Sequence, residues 1–97
     1  ANLSEDKSGL TSYKLHQCYP NPLNPSTTIT YDLPEMSFVE LKVYDTLGRE
    51  VKTLVNESKS AGRYQINLNL EDYASGTYFY QIKANNYVKT KKLLLVK

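Results

Sequence analysis

The sequence predicts an all-β sandwich in a single domain, and three observations support this fold class. Apolar and polar residues alternate through most of the 97-residue chain, and no window shows the apolar stripe of an amphipathic helix. Polar turn residues recur about every eight to twelve positions, as in a two-sheet sandwich. The aromatic residues are nine Tyr and two Phe, and Tyr suits strands because its ring packs while its hydroxyl reaches water.

The chain begins with a polar stretch that we predict is a linker. Residues 1–12 contain one Gly and three Ser, which favours a frayed terminus over a packed element. A short first strand is predicted over residues 13–17, so the folded domain is expected to span residues 13–97. The proline segment, defined as residues 19–25, comes next, and its three prolines and two asparagines exclude helix and central strand.

Two alternating strands and a specific turn follow the proline segment. Residues 27–33 and 38–44 each place apolar side chains on one face, and Asp32 is assigned to the opposite, outer face. Asp45 and Gly48 form an Asp-x-x-Gly turn. In such a turn the carboxylate bonds back to the backbone and Gly takes positive φ.

The second half of the chain predicts four more strands. Residues 49–55 pair back as a hairpin, residues 56–61 are predicted to be a polar loop, and alternation resumes in residues 62–69 and 78–84. The predicted core draws on inward-facing residues of both sheets: Ile29, Tyr31, Val39, Leu41, Val43, Tyr64, Ile66, Leu68, Tyr80 and Ile82.

The last strand, residues 87–96, follows a tight hairpin turn at Asn85 and Asn86, since Asn tolerates positive φ. Its final apolar run, residues 93–96, does not alternate, so the sequence leaves its register open. Gly76 and Tyr78 at the start of the preceding strand resemble a tyrosine corner, in which the hydroxyl bonds to upstream backbone. Seven antiparallel strands with such a corner predict an immunoglobulin-like sandwich.

Composition excludes several function classes. The formal net charge of +2, with acids and bases interspersed until the last ten residues, does not suggest nucleic-acid binding. No apolar run approaches the length of a transmembrane helix. The single cysteine cannot form an internal disulfide, although an extracellular location stays open. Because residues 1–11 lack the apolar stretch of a secretory signal and do not begin with Met, we expect the chain to be a fragment of a larger protein.

The sequence contains few residues that could form a catalytic or a metal site. His16 and Cys18, predicted on one strand face, could be a base and a nucleophile or two zinc ligands, but no further His or Cys completes either site. Carboxylate pairs and candidate calcium ligands lie beside predicted turns, where charges are usually solvated; these are Glu35, Glu40, Asp45, Glu71 and Asp72. The sequence therefore predicts no active site, no metal and no cofactor.

The residues alone leave the role of two possible binding surfaces undecided. Tyr44 and Phe79, both assigned to outer faces, could stack on sugar rings, whereas the simpler interpretation is a cross-strand pair that stabilises a sheet. The last strand carries Lys89, Lys91, Lys92 and Lys97 around its apolar run. These lysines suit either an edge strand guarded against aggregation or a strand captured by a receptor through strand addition.

Three segments together resemble the type A C-terminal sorting domain of the type IX (Por) secretion system of Bacteroidetes and related bacteria. They are residues 19–29, residues 41–51, and residues 75–82 with the lysine-bounded end at 91–97. The resemblance covers residues 13–97. It implies a seven-stranded sandwich without catalytic activity, attached to an upstream cargo protein that can itself be an enzyme.

The resemblance implies a route and partners. The cargo enters the periplasm by a standard signal peptide, an outer-membrane translocon recognises the domain, and a sortase-like protease commonly removes it, so that the cargo is surface-anchored or secreted. Cleavage is expected within residues 1–12. The residues tied to recognition by resemblance are Gly76, Tyr78, Lys91, Lys92, Leu93, Leu94, Leu95, Val96 and Lys97. The structural motif residues are Pro20, Asn21, Pro22, Asn24, Pro25, Asp45 and Gly48.

The chain departs from the family pattern at three positions. Cys18 stands where Asn is usual, Leu23 where Phe is usual, and Ala74 where Pro is frequent. Cys18 could produce disulfide-linked dimers. A non-catalytic binding module for a glycan or a neighbouring domain is the alternative function, because similar folds serve other roles.

Overall fold

Seven strands form two antiparallel sheets in the computed structural model, which describes residues 9–97. The strands are β1 (Lys14–Leu15), β2 (Ser26–Leu33), β3 (Ser37–Tyr44), β4 (Glu50–Lys59), β5 (Gly62–Asn69), β6 (Gly76–Ala84) and β7 (Tyr87–Leu95). The sheet orders are β1-β2-β5 and β4-β3-β6-β7. The predicted all-β sandwich of seven antiparallel strands is confirmed, and within the described residues no helix is long and apolar enough to cross a membrane. The predicted linker falls mostly outside the described residues.

The core lies between the two sheets and follows the predicted alternation. Eight of the ten predicted core residues are buried, whereas Tyr64 and Ile66 are only half-buried against the core. Both lie on β5, an edge strand of the three-stranded sheet. With a neighbouring strand on one side only, these two side chains keep partial contact with water.

The predicted loop at residues 56–61 is wrong, because β4 continues to Lys59 and pairs there with Ser37 of β3. Three consecutive side chains of this extension, at positions 56–58, are exposed. β4 is an edge strand with two register shifts against β3. The backbone pairing of β4 with β3 therefore continues through a stretch whose side chains face water. Such a polar edge strand looks like a loop in the sequence.

The first strand is shorter than predicted. β1 comprises only Lys14–Leu15 within the predicted residues 13–17, although the amide of His16 still donates to the Thr30 carbonyl at 2.9 Å. Beyond that point the regular ladder ends, and Tyr19 at the start of the proline segment pairs with Thr28 of β2 only through an isolated bridge. Proline lacks a backbone donor, which makes a longer regular ladder unfavourable there.

The local turns agree with the prediction. Asp45 Oδ1 accepts the Leu47 amide at 2.9 Å, and Gly48 has a φ of 83°. The Arg49 amide also donates to Asp45, and this bond is the main reason that the pKa of Asp45 lies below its ordinary value. At the β6–β7 hairpin, Asn85 has a φ of 54°. The local preferences of Asp, Gly and Asn account for both turns, and the Asn85 side chain also donates to the Met36 carbonyl across the fold.

Asp32 lies on the outer face, as predicted, but it is only 4% exposed, which the sequence did not indicate. Arg63 covers it with hydrogen bonds of 2.8 Å and 3.1 Å, and His16 Nε2 lies 3.1 Å from Asp32 Oδ2. The hydrogen bond from Arg63 is the largest effect that lowers the pKa of Asp32. A carboxylate on the outer face is therefore buried by long polar side chains rather than by the core.

Asp32 is expected to make the domain lose stability in acid. Its folded-state pKa is lowered, so its stabilisation is fully present above an unfolded-state pKa of about 3.9 and is lost as the pH falls through the folded-state value. Asp32→Asn should therefore flatten the acid side of the stability profile, measured by urea unfolding between about pH 2 and about pH 6. The exposed Asp72→Asn is the control. Parallel acid losses in Asp32→Asn and the parent chain would contradict this assignment.

Candidate functional site

The fold brings the predicted recognition residues of β6 and β7 into one ladder. Gly76 pairs with Leu95, and Tyr78 pairs with Leu93, in the antiparallel register of the two strands. Leu93 and Leu95 are buried on the inner face. The sequence left this register open, and the structure shows that the apolar run does alternate.

The tyrosine corner is present at the start of β6. The Tyr78 hydroxyl donates to the Ala74 carbonyl at 2.6 Å, and Tyr78 itself is buried. The ring of Tyr73 meets it edge-on at 6.5 Å between centroids. Gly76 has a φ of 147°, a backbone conformation that side chains disfavour. Tyr78 and Gly76 therefore shape the corner against which the end of β7 pairs.

The proline segment crosses from one sheet to the other and closes the edge of β7. Tyr19 forms a bridge with Thr28 of β2, and Leu23 forms a parallel bridge with Leu95 of β7. The Leu23 amide donates to the Leu94 carbonyl at 2.9 Å, and the Leu23 carbonyl accepts from the amide of residue 96 at 2.9 Å. The peptide bonds preceding the three prolines of this segment are cis. Sequence reasoning marked the segment as structural but gave no signal of this partner.

Side chains complete the closure of this edge. Asn21 Oδ1 accepts the Leu94 amide at 3.0 Å, and Gln17 Nε2 donates to the Lys92 carbonyl at 3.1 Å. The Lys97 amide donates to Ser75 Oγ at 3.2 Å. The end of the last strand, residues 92–97, is therefore held on the side opposite β6 as well.

The remaining motif residues support the segment. The Pro20 carbonyl accepts from the buried Thr27 hydroxyl at 2.7 Å, and the Pro25 carbonyl accepts the Leu70 amide at 2.9 Å. Pro22 and Asn24 are exposed. The segment is thus held to β2 and to the chain after β5 as well as to β7.

The exposed residues of the last strand are apolar and basic. Leu94 is 41% exposed and Val96 is 44% exposed. Lys92 is also exposed, whereas Lys91 is half-buried, on the same side of the strand as the inward leucines. The Lys97 ammonium contacts the Glu71 carbonyl. The recognition set therefore divides into side chains that face the core and side chains that face solvent.

His16 and Cys18 do not form a joint site. The His16 side chain meets Asp32, while Cys18 is buried at 2% exposure in the core. Their link is through backbone: the Tyr80 hydroxyl donates to the His16 carbonyl and accepts the Cys18 amide, each at 2.8 Å. Burial raises the pKa of Tyr80. The prediction of disulfide-linked dimers through Cys18 does not fit the folded domain, in which this thiol is covered.

Among the carboxylate candidates, Asp45 is fully engaged within its own turn. Both oxygens of Asp45 bond to the backbone and side chain of its own turn, with Arg49 Nε at 2.8 Å. Within residues 9–97, no three His, Cys, Asp or Glu side chains are grouped so that they could hold a metal ion. The structure therefore adds no support to a calcium site at Asp45.

Tyr44 and Phe79 are cross-strand neighbours at the edge of an open depression on the four-stranded sheet. The depression has a volume of about 380 Å³ and is lined by Tyr44, Asp45, Thr46, Gly48, Phe79, Gln81 and Thr90. The Gln81 amide already donates to the Thr90 hydroxyl at 3.0 Å. Its chemistry, aromatic rings beside amide and hydroxyl groups, suits the glycan-binding alternative.

Comparison with known families gives one result. A family model described as a secretion system C-terminal sorting domain matches residues 17–97. The matched region begins at Gln17, which bonds to the last strand, and includes the proline segment and β2–β7. No curated protein matches the chain.

Proposed function

The chain belongs to the family of C-terminal sorting domains of the type IX secretion system, and on this basis we propose that it directs a larger cargo protein across the outer membrane. Proteins with a domain of this family are exported to the cell surface or secreted. The domain acts as a folded address, without an active site or cofactor of its own. The cargo is covalently linked upstream and reaches the outer membrane through the periplasm.

The observation that carries this proposal is the extent of the family match. It covers residues 17–97, which is nearly the whole described fold and not one short motif. The segments at its two ends are hydrogen-bonded to each other, so the matched region is one structural unit.

We propose two kinds of protein partner. A component of the outer-membrane translocon binds the last strand, and a sortase-like protease cuts upstream, within residues 1–12. The Lys-rich, solvent-facing end of β7 supports the first contact, because exposed apolar and charged side chains at one place favour a protein interface.

The export test uses a fluorescent reporter that is targeted to the periplasm and fused before residues 1–97, in a bacterium with a working type IX system. The full fusion is expected at the surface or in the medium, and a fusion lacking residues 92–97 is expected to stay in the periplasm. Because that deletion removes two buried leucines, a second version lacks only residues 96–97. Thermal unfolding of the purified domains checks that each is folded.

The outcomes separate the two candidate functions. Export of the full fusion, with retention of a folded truncated version, supports the sorting function. If all versions stay in the periplasm while the domain is folded, the sorting proposal fails. The depression beside Tyr44 and Phe79 then becomes the better candidate, to be tested by polysaccharide gel shifts with alanine at either aromatic position.

A further inference from the structure

We propose that the sorting machinery binds the outward-facing side chains of the last strand and does not pair a strand of its own with the edge of that strand. The outer recognition face is defined as Lys92, Leu94 and Val96 with their neighbours Thr77 and Phe79 on β6. Its partner is an apolar protein groove rimmed by carboxylates. This inference rests on the proposed function and specifies how the same site is read.

The first step is that the edge of β7 is already occupied where recognition is expected. A strand can be added only where alternate residues present free N–H and C=O groups outward. In the last strand, the Leu94 amide and carbonyl bond to Asn21 and Leu23, and the Val96 amide bonds to Leu23. The Lys92 carbonyl accepts from the Gln17 side chain. A partner strand would have to displace the proline segment to reach these groups.

The second step is that the proline segment is firmly anchored. Leu23 is completely buried, so its release would expose an apolar side chain as well as break its two backbone hydrogen bonds. The other end of the segment is bridged to β2 at Thr28, and its Pro20 carbonyl accepts from the Thr27 hydroxyl. Displacement is therefore unfavourable compared with contact at a surface that is already exposed.

The third step is that the outer face is exposed and apolar at its centre. Thr77 lies opposite Leu94, and Phe79 lies opposite Lys92, so these side chains share one face of the sheet. Leu94 and Val96 keep 41% and 44% of their surface exposed. The buried recognition residues Tyr78, Leu93 and Leu95 instead hold this face in position, because they pack on its inner side.

The fourth step is charge. Residues 87–97 contain four lysines and no Asp or Glu. Among the ion pairs between the described residues, none includes Lys89, Lys91, Lys92 or Lys97. The charge of Lys92, which is in none of these ion pairs, lies beside the exposed Leu94 and is complementary to a groove with an acidic rim. Lys92 is the lysine that shares the outer face with Leu94.

The test compares side-chain variants on the two halves of β7 in the export fusion described above. Leu94→Gln and Lys92→Glu should each lower the exported fraction about tenfold or more, because each removes a contact or reverses a charge at the interface. Val88→Gln and Lys89→Glu make the same changes outside the outer recognition face. Val88 is 53% exposed on the same strand, and these two controls should export normally.

A variant of the proline segment, taken together with the two β7 variants, distinguishes recognition through side chains from strand addition. Asn21→Ala removes the acceptor of the Leu94 amide and loosens the closed edge. Strand addition predicts export that is equal or better in Asn21→Ala and unchanged in Leu94→Gln and Lys92→Glu. That pattern, or an equal loss in the Val88→Gln control, would overturn the inference while the parent fusion is still exported. Retention of the parent fusion itself would instead refute the proposed function.

Discussion

Replacing Leu23 with alanine is expected to lower the free energy of unfolding by about 2–5 kcal/mol, the usual range for a buried leucine. Leu23 is completely buried and pairs with Leu95 across the gap between the proline segment and β7. The substitution leaves a cavity at this junction, which the surrounding strands cannot fill without moving. Urea unfolding of the purified domain, followed by tyrosine fluorescence, measures the change.

Leu47→Ala provides the matched control for this experiment. Leu47 is 74% exposed in the turn after β3, so the same chemical change should alter stability by less than about 0.5 kcal/mol. A loss below about 1 kcal/mol in Leu23→Ala would show that the proline segment does not pack on β7 in solution. The same result would weaken the argument that the edge of the last strand is closed.

Replacing Tyr80 with phenylalanine is expected to cost roughly 2–6 kcal/mol, although it creates almost no cavity. The buried hydroxyl of Tyr80 donates to the His16 carbonyl and accepts the Cys18 amide, each at 2.8 Å. Removing the hydroxyl leaves two backbone groups unpaired, and each buried unsatisfied group costs about 1–3 kcal/mol. Thermal and urea unfolding of the variant give the difference.

The control for Tyr80→Phe is Tyr64→Phe. The Tyr64 hydroxyl donates to the Ser60 carbonyl at an exposed position, where water replaces the lost bond, so the loss should stay below about 1 kcal/mol. Equal effects of the two variants would mean that Tyr80 does not tie the chain just before the proline segment, at His16 and Cys18, to the core. Both variants remove a hydrogen bond from a tyrosine hydroxyl, so the difference between them measures the effect of burial.

Several properties of this protein were determined by sequence alone because their causes are local. Side chains of a strand point to alternate faces, so Val39, Leu41 and Val43 share one face regardless of the surrounding structure. The Asp45 turn and the positive φ of Asn85 form from the conformational preferences of those residues. The order of the motifs was also sufficient to indicate the family whose model matches residues 17–97.

Other features depend on which segments meet in space. Asp32 alternates as an outer residue, and it is buried only because Arg63 reaches it from the neighbouring strand. The polar end of β4 is a strand because β3 pairs with it, since the ladder needs only backbone groups. The hydropathy of the neighbouring residues predicts neither contact.

The last strand shows the division most clearly. The sequence determined that an apolar, basic strand ends the matched domain and that a rigid proline-rich segment lies near its start. Only the tertiary structure decided that these two parts meet, through Leu23 and Asn21, and that Leu93 faces the core while Leu94 faces water. The reason is physical: side-chain preferences act over a few residues, whereas edge pairing depends on backbone groups that every residue carries.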